Sequence, residues 1–247
     1  MKIFNTILLI FSVCFSSDAQ WRSYYPEGTS SVKNQKIDNE KIKKDFENCF
    51  FSAIKARSLE NYEEALKQFQ RCIKIDDKNP LPFYESASIN AEKGNYDIAL
   101  EQIKEAVKLD PNNRWYCLLN ANIAFNKQDF LNAAVQYKKL ITLEPGNEEL
   151  YYMLADTYIY SNNLKKAIKV YDELELHKGV DKMLSMQKHQ LFRQLNDIKG
   201  AINELNKISN TFPQDVEVLE ILAELYLLND QKEKAFDVFK KIAIISP

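Results

Sequence analysis

From residue 46 onward, apolar positions recur with helical spacing and in a fixed long period. Alanines stand at Ala65, Ala99, Ala133, Ala167, Ala201 and Ala235, each 34 residues after the last. Four positions after each comes a large apolar side chain: Phe69, Ile103, Tyr137, Tyr171, Leu205 and Phe239. Three positions before each stands Tyr62, Tyr96, Phe130, Leu164 or Ile198, with Lys232 the one break. Spacings of three, four and seven place such residues on one face of an amphipathic helix. Short polar pairs precede these helices: Glu60-Asn61, Gly94-Asn95, Gln128-Asp129, Asn162-Asn163, Asn196-Asp197 and Asp230-Gln231. Twelve positions after the alanines, Pro111, Pro145, Pro213 and Pro247 fill four of six slots, and Asp77 and Gly179 fill the others. Proline ends a helix because its ring clashes and its N–H is missing. The pattern predicts two helices per period, joined by a tight polar turn. One such pair cannot bury its apolar face, so neighbouring pairs must stack.

Segments such as NYDIALEQIKEAVKLDPNN (95–113) and DFLNAAVQYKKLITLEPGN (129–147) resemble the second-helix pattern of the tetratricopeptide repeat (TPR) family. The resemblance covers residues 46–247, in units 46–79, 80–113, 114–147, 148–181, 182–215 and 216–247. It implies an all-α fold, a right-handed superhelical α-solenoid of antiparallel helix pairs. The small residue expected in each first helix is Ala53, Ala87, Ala121, Ala155 and Ala223. In the fifth unit His189 stands there, behind Lys188, so the first helix of that unit is expected to shift or splay. The last helix carries Phe236, Phe239, Ile242, Ala243 and Ile245. With no capping helix after it, that surface is expected to be covered either by a second copy or by a longer chain.

In this family the first helices line a concave groove, and the resemblance places certain positions of each unit in it. They include Phe50, Ile54 and Arg57, then Tyr84 and Ser88, then Trp115, Leu118, Asn122 and Phe125. Tyr152, Asp156, Ile159 and Tyr160 follow, then Met183, Met186, Gln190 and Arg193, and Glu217, Glu220 and Glu224 at the far end. The residues expected to hold a partner are Phe50, Tyr84, Trp115, Asn122, Phe125, Tyr152, Asp156 and Tyr160. Large rings give contact area at little entropic cost, although a ring there also serves to fill the gap between neighbouring helices. Co-chaperone members hold a C-terminal carboxylate with Lys, Arg and Asn. The matching positions here are Phe50, Ile54, Glu85, Trp115 and Leu119, of which the Trp115 indole alone donates. That clamp is absent, and the groove suits an apolar protein or peptide segment with basic residues.

Cys49 and Cys72 fall on the facing helices of unit one. They are either bridged, as an oxidising compartment would allow, or two thiols filling small buried slots.

The start of the chain follows another pattern. Residues 1–19 place Lys2 before an apolar stretch, with Ser17 and Ala19 before Gln20, the form of a cleavable signal peptide. The stretch is shorter than the roughly 20 residues that span a bilayer. Residues 20–45 form a polar leader, passing into helix near Ile37.

Composition removes several function classes. With 33 basic and 35 acidic residues the net charge is −2, a balance that argues against the concentrated basic face that nucleic-acid binding needs. Two histidines and four cysteines lack metal-ligand or catalytic spacing, and no phosphate loop, G-x-S-x-G or H-E-x-x-H occurs. Neither a catalytic residue, a cofactor nor a metal is expected. The first reading is therefore a non-enzymatic, exported scaffold, in the periplasm or at the outer membrane if bacterial and otherwise secreted. The second is the sensory front end of a longer envelope enzyme, such as a membrane kinase or transferase. A third, lower, is a glycan or small-molecule binder.

Overall fold

The structure, a computed structural model, describes residues 33–246. The expected signal peptide (1–19), the leader as far as residue 32, and Pro247 lie outside the described residues. Two compact units divide the chain, residues 1–48 and 49–247. Every described element is a helix. In order they are α1 Lys33–Ser58, α2 Tyr62–Ile75, α3 Leu81–Glu92, α4 Tyr96–Leu109, α5 Arg114–Asn126 and α6 Phe130–Leu143. Then come α7 Glu148–Tyr160, α8 Leu164–Lys178, α9 Lys182–Gln194, α10 Ile198–Thr211, α11 Val216–Leu228 and α12 Lys232–Ile245. Among the described residues α1 is already helical at Lys33, ahead of Ile37. Among the described residues no helix is long and apolar enough to cross a membrane.

The turn inside each pair is the same object six times. Glu60, Gly94, Gln128, Asn162, Asn196 and Asp230 all adopt positive φ, between 55° and 76°. The next residue's N–H then reaches back five residues to a carbonyl of the first helix, at 2.7–2.9 Å, from Asn61 to Ala56 through Gln231 to Tyr226. This 6→1 closure satisfies a carbonyl that the helix end leaves open. Asn61, Asp129 and Asp197 also cap the second helix by accepting from the N–H three residues on. Where proline is missing at the other turn, Gly179 ends α8 with φ 83°.

The period sets the packing. Ala65, Ala99, Ala133, Ala167, Ala201 and Ala235 are fully buried, as are Ala53, Ala87, Ala121, Ala155 and Ala223. The large residues four positions on are buried except Phe239. The apolar interior is nevertheless not continuous. Three clusters make it up, one from Ala53 to Ile89, one from Ala87 to Leu191 and one from Ala201 to Val238. From α2 onward, α8 and α9 meet less extensively than the other consecutive helices. The break between the last two lies at unit five, where His189 stands in the slot that holds alanine in the other units, with Lys188 before it.

Candidate functional site

α5 carries Trp115, Leu118, Asn122 and Phe125 on one face, spaced as helical neighbours. α7 carries Tyr152, Asp156, Ile159 and Tyr160 on the equivalent face. The two faces adjoin, because the Phe125 and Tyr160 rings meet edge to face at 5.3 Å, and both lie against Phe130 of α6. Asn122 accepts a hydrogen bond from the Tyr137 hydroxyl at 2.7 Å. Tyr152 packs near Tyr171, centroids 5.9 Å apart, and its buried hydroxyl has no hydrogen-bond partner. Asp156 stays open to solvent. Desolvation by the side chains around it pushes its pKa above the ordinary aspartate value. Burial pushes the Tyr137 and Tyr171 phenols well up, and the Asp156 charge adds to this in both.

The structure thus brings together Asn122, Phe125, Tyr152, Asp156 and Tyr160. Two other rings serve packing between elements: Phe50 sits edge-on to Phe69 within its own pair, and Tyr84 lies 5.1 Å from Tyr116 of the next. Trp115 is 51% exposed, with the Arg114 guanidinium over its ring at 4.7 Å. Of the eight expected residues, Trp115 and Tyr160 offer the largest open aromatic surface. Arg57 is occupied: it pairs with Glu85 and Glu92 and donates to the Ser88 hydroxyl. Near the far end, Met183, Met186, Val180 and Phe212 line an open cleft of about 460 Å³. Lys182 beside it bridges Asp215 at 2.6 Å and Glu217 at 3.0 Å.

Cys49 and Cys72 are joined as a disulfide, Cα atoms 5.9 Å apart, and Cys117 is a buried free thiol. Among the described residues no group of His, Cys, Asp and Glu is arranged to hold a metal.

Sequence reading missed one constellation. Lys188 is fully buried in α9. Its ammonium lies 2.6 Å from Asp172 and 2.9 Å from Glu175 on α8, and 3.1 Å from Glu204 on α10. Lys207 joins Glu175 and Glu204 at 2.9 and 3.1 Å. Burial opposes the Lys188 charge, yet hydrogen bonds to the carboxylates outweigh it and raise the pKa. Beside it His189 fills the small-residue slot with neither ring nitrogen hydrogen-bonded. Burial, with Arg193 adding to it, lowers the His189 pKa. The signal in the sequence was the pair Lys188-His189, out of pattern in an otherwise regular register.

Residues 78–242 match the family model described as "Tetratricopeptide repeat protein 21 ARM repeat", and residues 56–79 match a tetratricopeptide repeat model. None of the curated proteins matches the chain. Among solved structures, a tetratricopeptide repeat protein from Parabacteroides merdae is 16% identical, with a TM-score of 0.54 over 83% of this chain and 81% of its own. A structure of Naa15/Naa10 bound to HypK-THB is 18% identical, with a TM-score of 0.64 over 86% of this chain and 34% of that one. At these identities the likeness concerns the fold alone.

Proposed function

The chain belongs to the tetratricopeptide repeat family, and from that premise we propose that it is an exported, non-enzymatic scaffold holding a protein segment in the groove of its first helices. The observation that carries this reading is the pairing of open rings with fixed surroundings on α5 and α7. Tyr160 is 69% exposed while its ring is held against Phe125 and Phe130. Trp115 is similarly open. An exposed ring that is already immobilised loses little entropy on binding, which is what anchors at protein interfaces supply. The free protein segment in the groove would be apolar with basic residues, since Asp156, Glu220 and Glu224 stand open along that face. The residue 1–19 pattern and the Cys49–Cys72 bridge both fit export to an oxidising compartment.

The test is affinity capture with tagged full-length protein against a Trp115→Ala/Tyr160→Ala variant of matched thermal stability. Truncating two anchors is expected to cut recovery of the bound partner at least tenfold. Equal recovery would place the partner on another face.

A further inference from the structure

We propose that Asp156 and the rings around it form a subsite for one cationic side chain of the bound segment, arginine in preference to lysine. The proposal deepens the groove reading and rests on it. Its starting point is a charge without a partner. Asp156 makes no hydrogen bond and no ion pair among the described residues, in a chain with 33 basic side chains. Arg57 is answered by Glu85 and Glu92 and Lys182 by Asp215 and Glu217, whereas Glu220 and Glu224 of α11 stand open as Asp156 does. What marks Asp156 is the rings beside it.

Nor does helix position account for it. Asp156 lies in the C-terminal half of α7, where the helix dipole disfavours a carboxylate rather than stabilising one. It is too far from the first turn to cap anything.

The surroundings suit a cation. The buried rings of Tyr137 and Tyr171 lie close enough to Asp156 for its charge to act on their phenols. The Tyr137 hydroxyl is committed to Asn122, so it leaves the carboxylate unsatisfied. One helical turn on from Asp156, Tyr160 stands open and is held edge-on by Phe125. A carboxylate beside an open aromatic face matches a guanidinium, which pairs with the first through two parallel N–H donors and stacks on the second. An ammonium has the charge but lacks the plane. A neutral isostere would leave Asp156 as it is now.

The experiment titrates three small probes into the full chain labelled with 3-fluorotyrosine: the acetyl N-methylamides of arginine, lysine and citrulline. The Tyr160 resonance is assigned with Tyr160→Phe. Arginine is expected to give a saturable shift with a Kd on the order of millimolar, and lysine a several-fold weaker one. Citrulline should give none. In Asp156→Asn, which keeps the shape and removes the charge, arginine affinity should fall about tenfold while the urea midpoint holds or rises. A citrulline response equal to that of arginine, or an Asp156→Asn titration like the wild type, overturns the subsite. These probes are too small to report on groove occupancy. Normal arginine binding with partner capture indifferent to Trp115→Ala/Tyr160→Ala would therefore sink the groove reading and leave the cation contact standing.

Discussion

Six residues one period apart hold the left-handed backbone of the turns, and only Gly94 is the residue that does so without strain. Glu60 and Gln128 have neither glycine's freedom nor the local hydrogen bonding that helps Asn and Asp there. Gln128→Gly should therefore raise stability by about 0.5–1 kcal/mol in urea unfolding. Gly94→Ala should cost about 1 kcal/mol, purely through conformation, because a Cβ at Gly94 would meet nothing within 4 Å. Lys188 is the opposite case, a residue whose value lies wholly in its partners. Lys188→Met would leave the half-buried Glu175 and the buried Glu204 with less positive charge, and is expected to cost about 3–5 kcal/mol. Burial works against the Glu175 charge, but Lys188 and Lys207 hold its pKa below the ordinary glutamate value. With the folded value depressed, this stabilisation is present above the ordinary carboxylate range and is lost as pH falls below about 4. Urea midpoints of wild type and Lys188→Met should therefore converge on going from pH 7 to pH 3. A gap that persists at pH 3 would show that packing, not charge, makes the difference. Lys188 was conspicuous in sequence, but its partners were not. Asp172, Glu175 and Glu204 look like any solvated acids until three helices bring them to one point.

At the scale of elements, α1 and α2 are stapled by Cys49–Cys72, 23 positions apart in sequence. A closed loop of that length adds about 3 kcal/mol by restricting the unfolded chain. In a stack where each pair touches only its neighbours, that gain falls on the first pair. Alkylation of the unfolded, unreduced protein recovered from cells should label Cys117 alone among the three cysteines beyond residue 19. Three labels would rule the bridge out in that compartment. Reduction should lower the protection of α1 and α2 amides in hydrogen exchange and leave α11 and α12 unchanged. The facing positions of the two cysteines were legible from the repeat register, but whether they lie within bonding distance was not. That depends on how closely α1 and α2 approach across Ala53 and Ala65, both fully buried. Unit five shows the same division. The sequence marked a disturbance at His189, and α9 remains a regular helix of 13 residues while its contact with α8 thins and the apolar core parts.

For the molecule as a whole, the 34-residue register by itself determined the helix pairs, their turns and the buried alanines. Those features rest on local geometry, which repeats whenever the residues do. It also marked which side chains share a first-helix face, since spacing along a helix fixes direction. What it left undecided were relations between side chains of different units. Phe50 and Tyr84 have the same look in sequence as Tyr160, yet the first two are half-buried against other rings while Tyr160 stands open. Asp156 reads as one acid among 35 acidic residues, and only tertiary structure sets it apart as a carboxylate among rings with no counter-charge. The physical reason is that burial and pairing are properties of distances between helices. Those distances are set by how successive pairs stack, which no single period encodes.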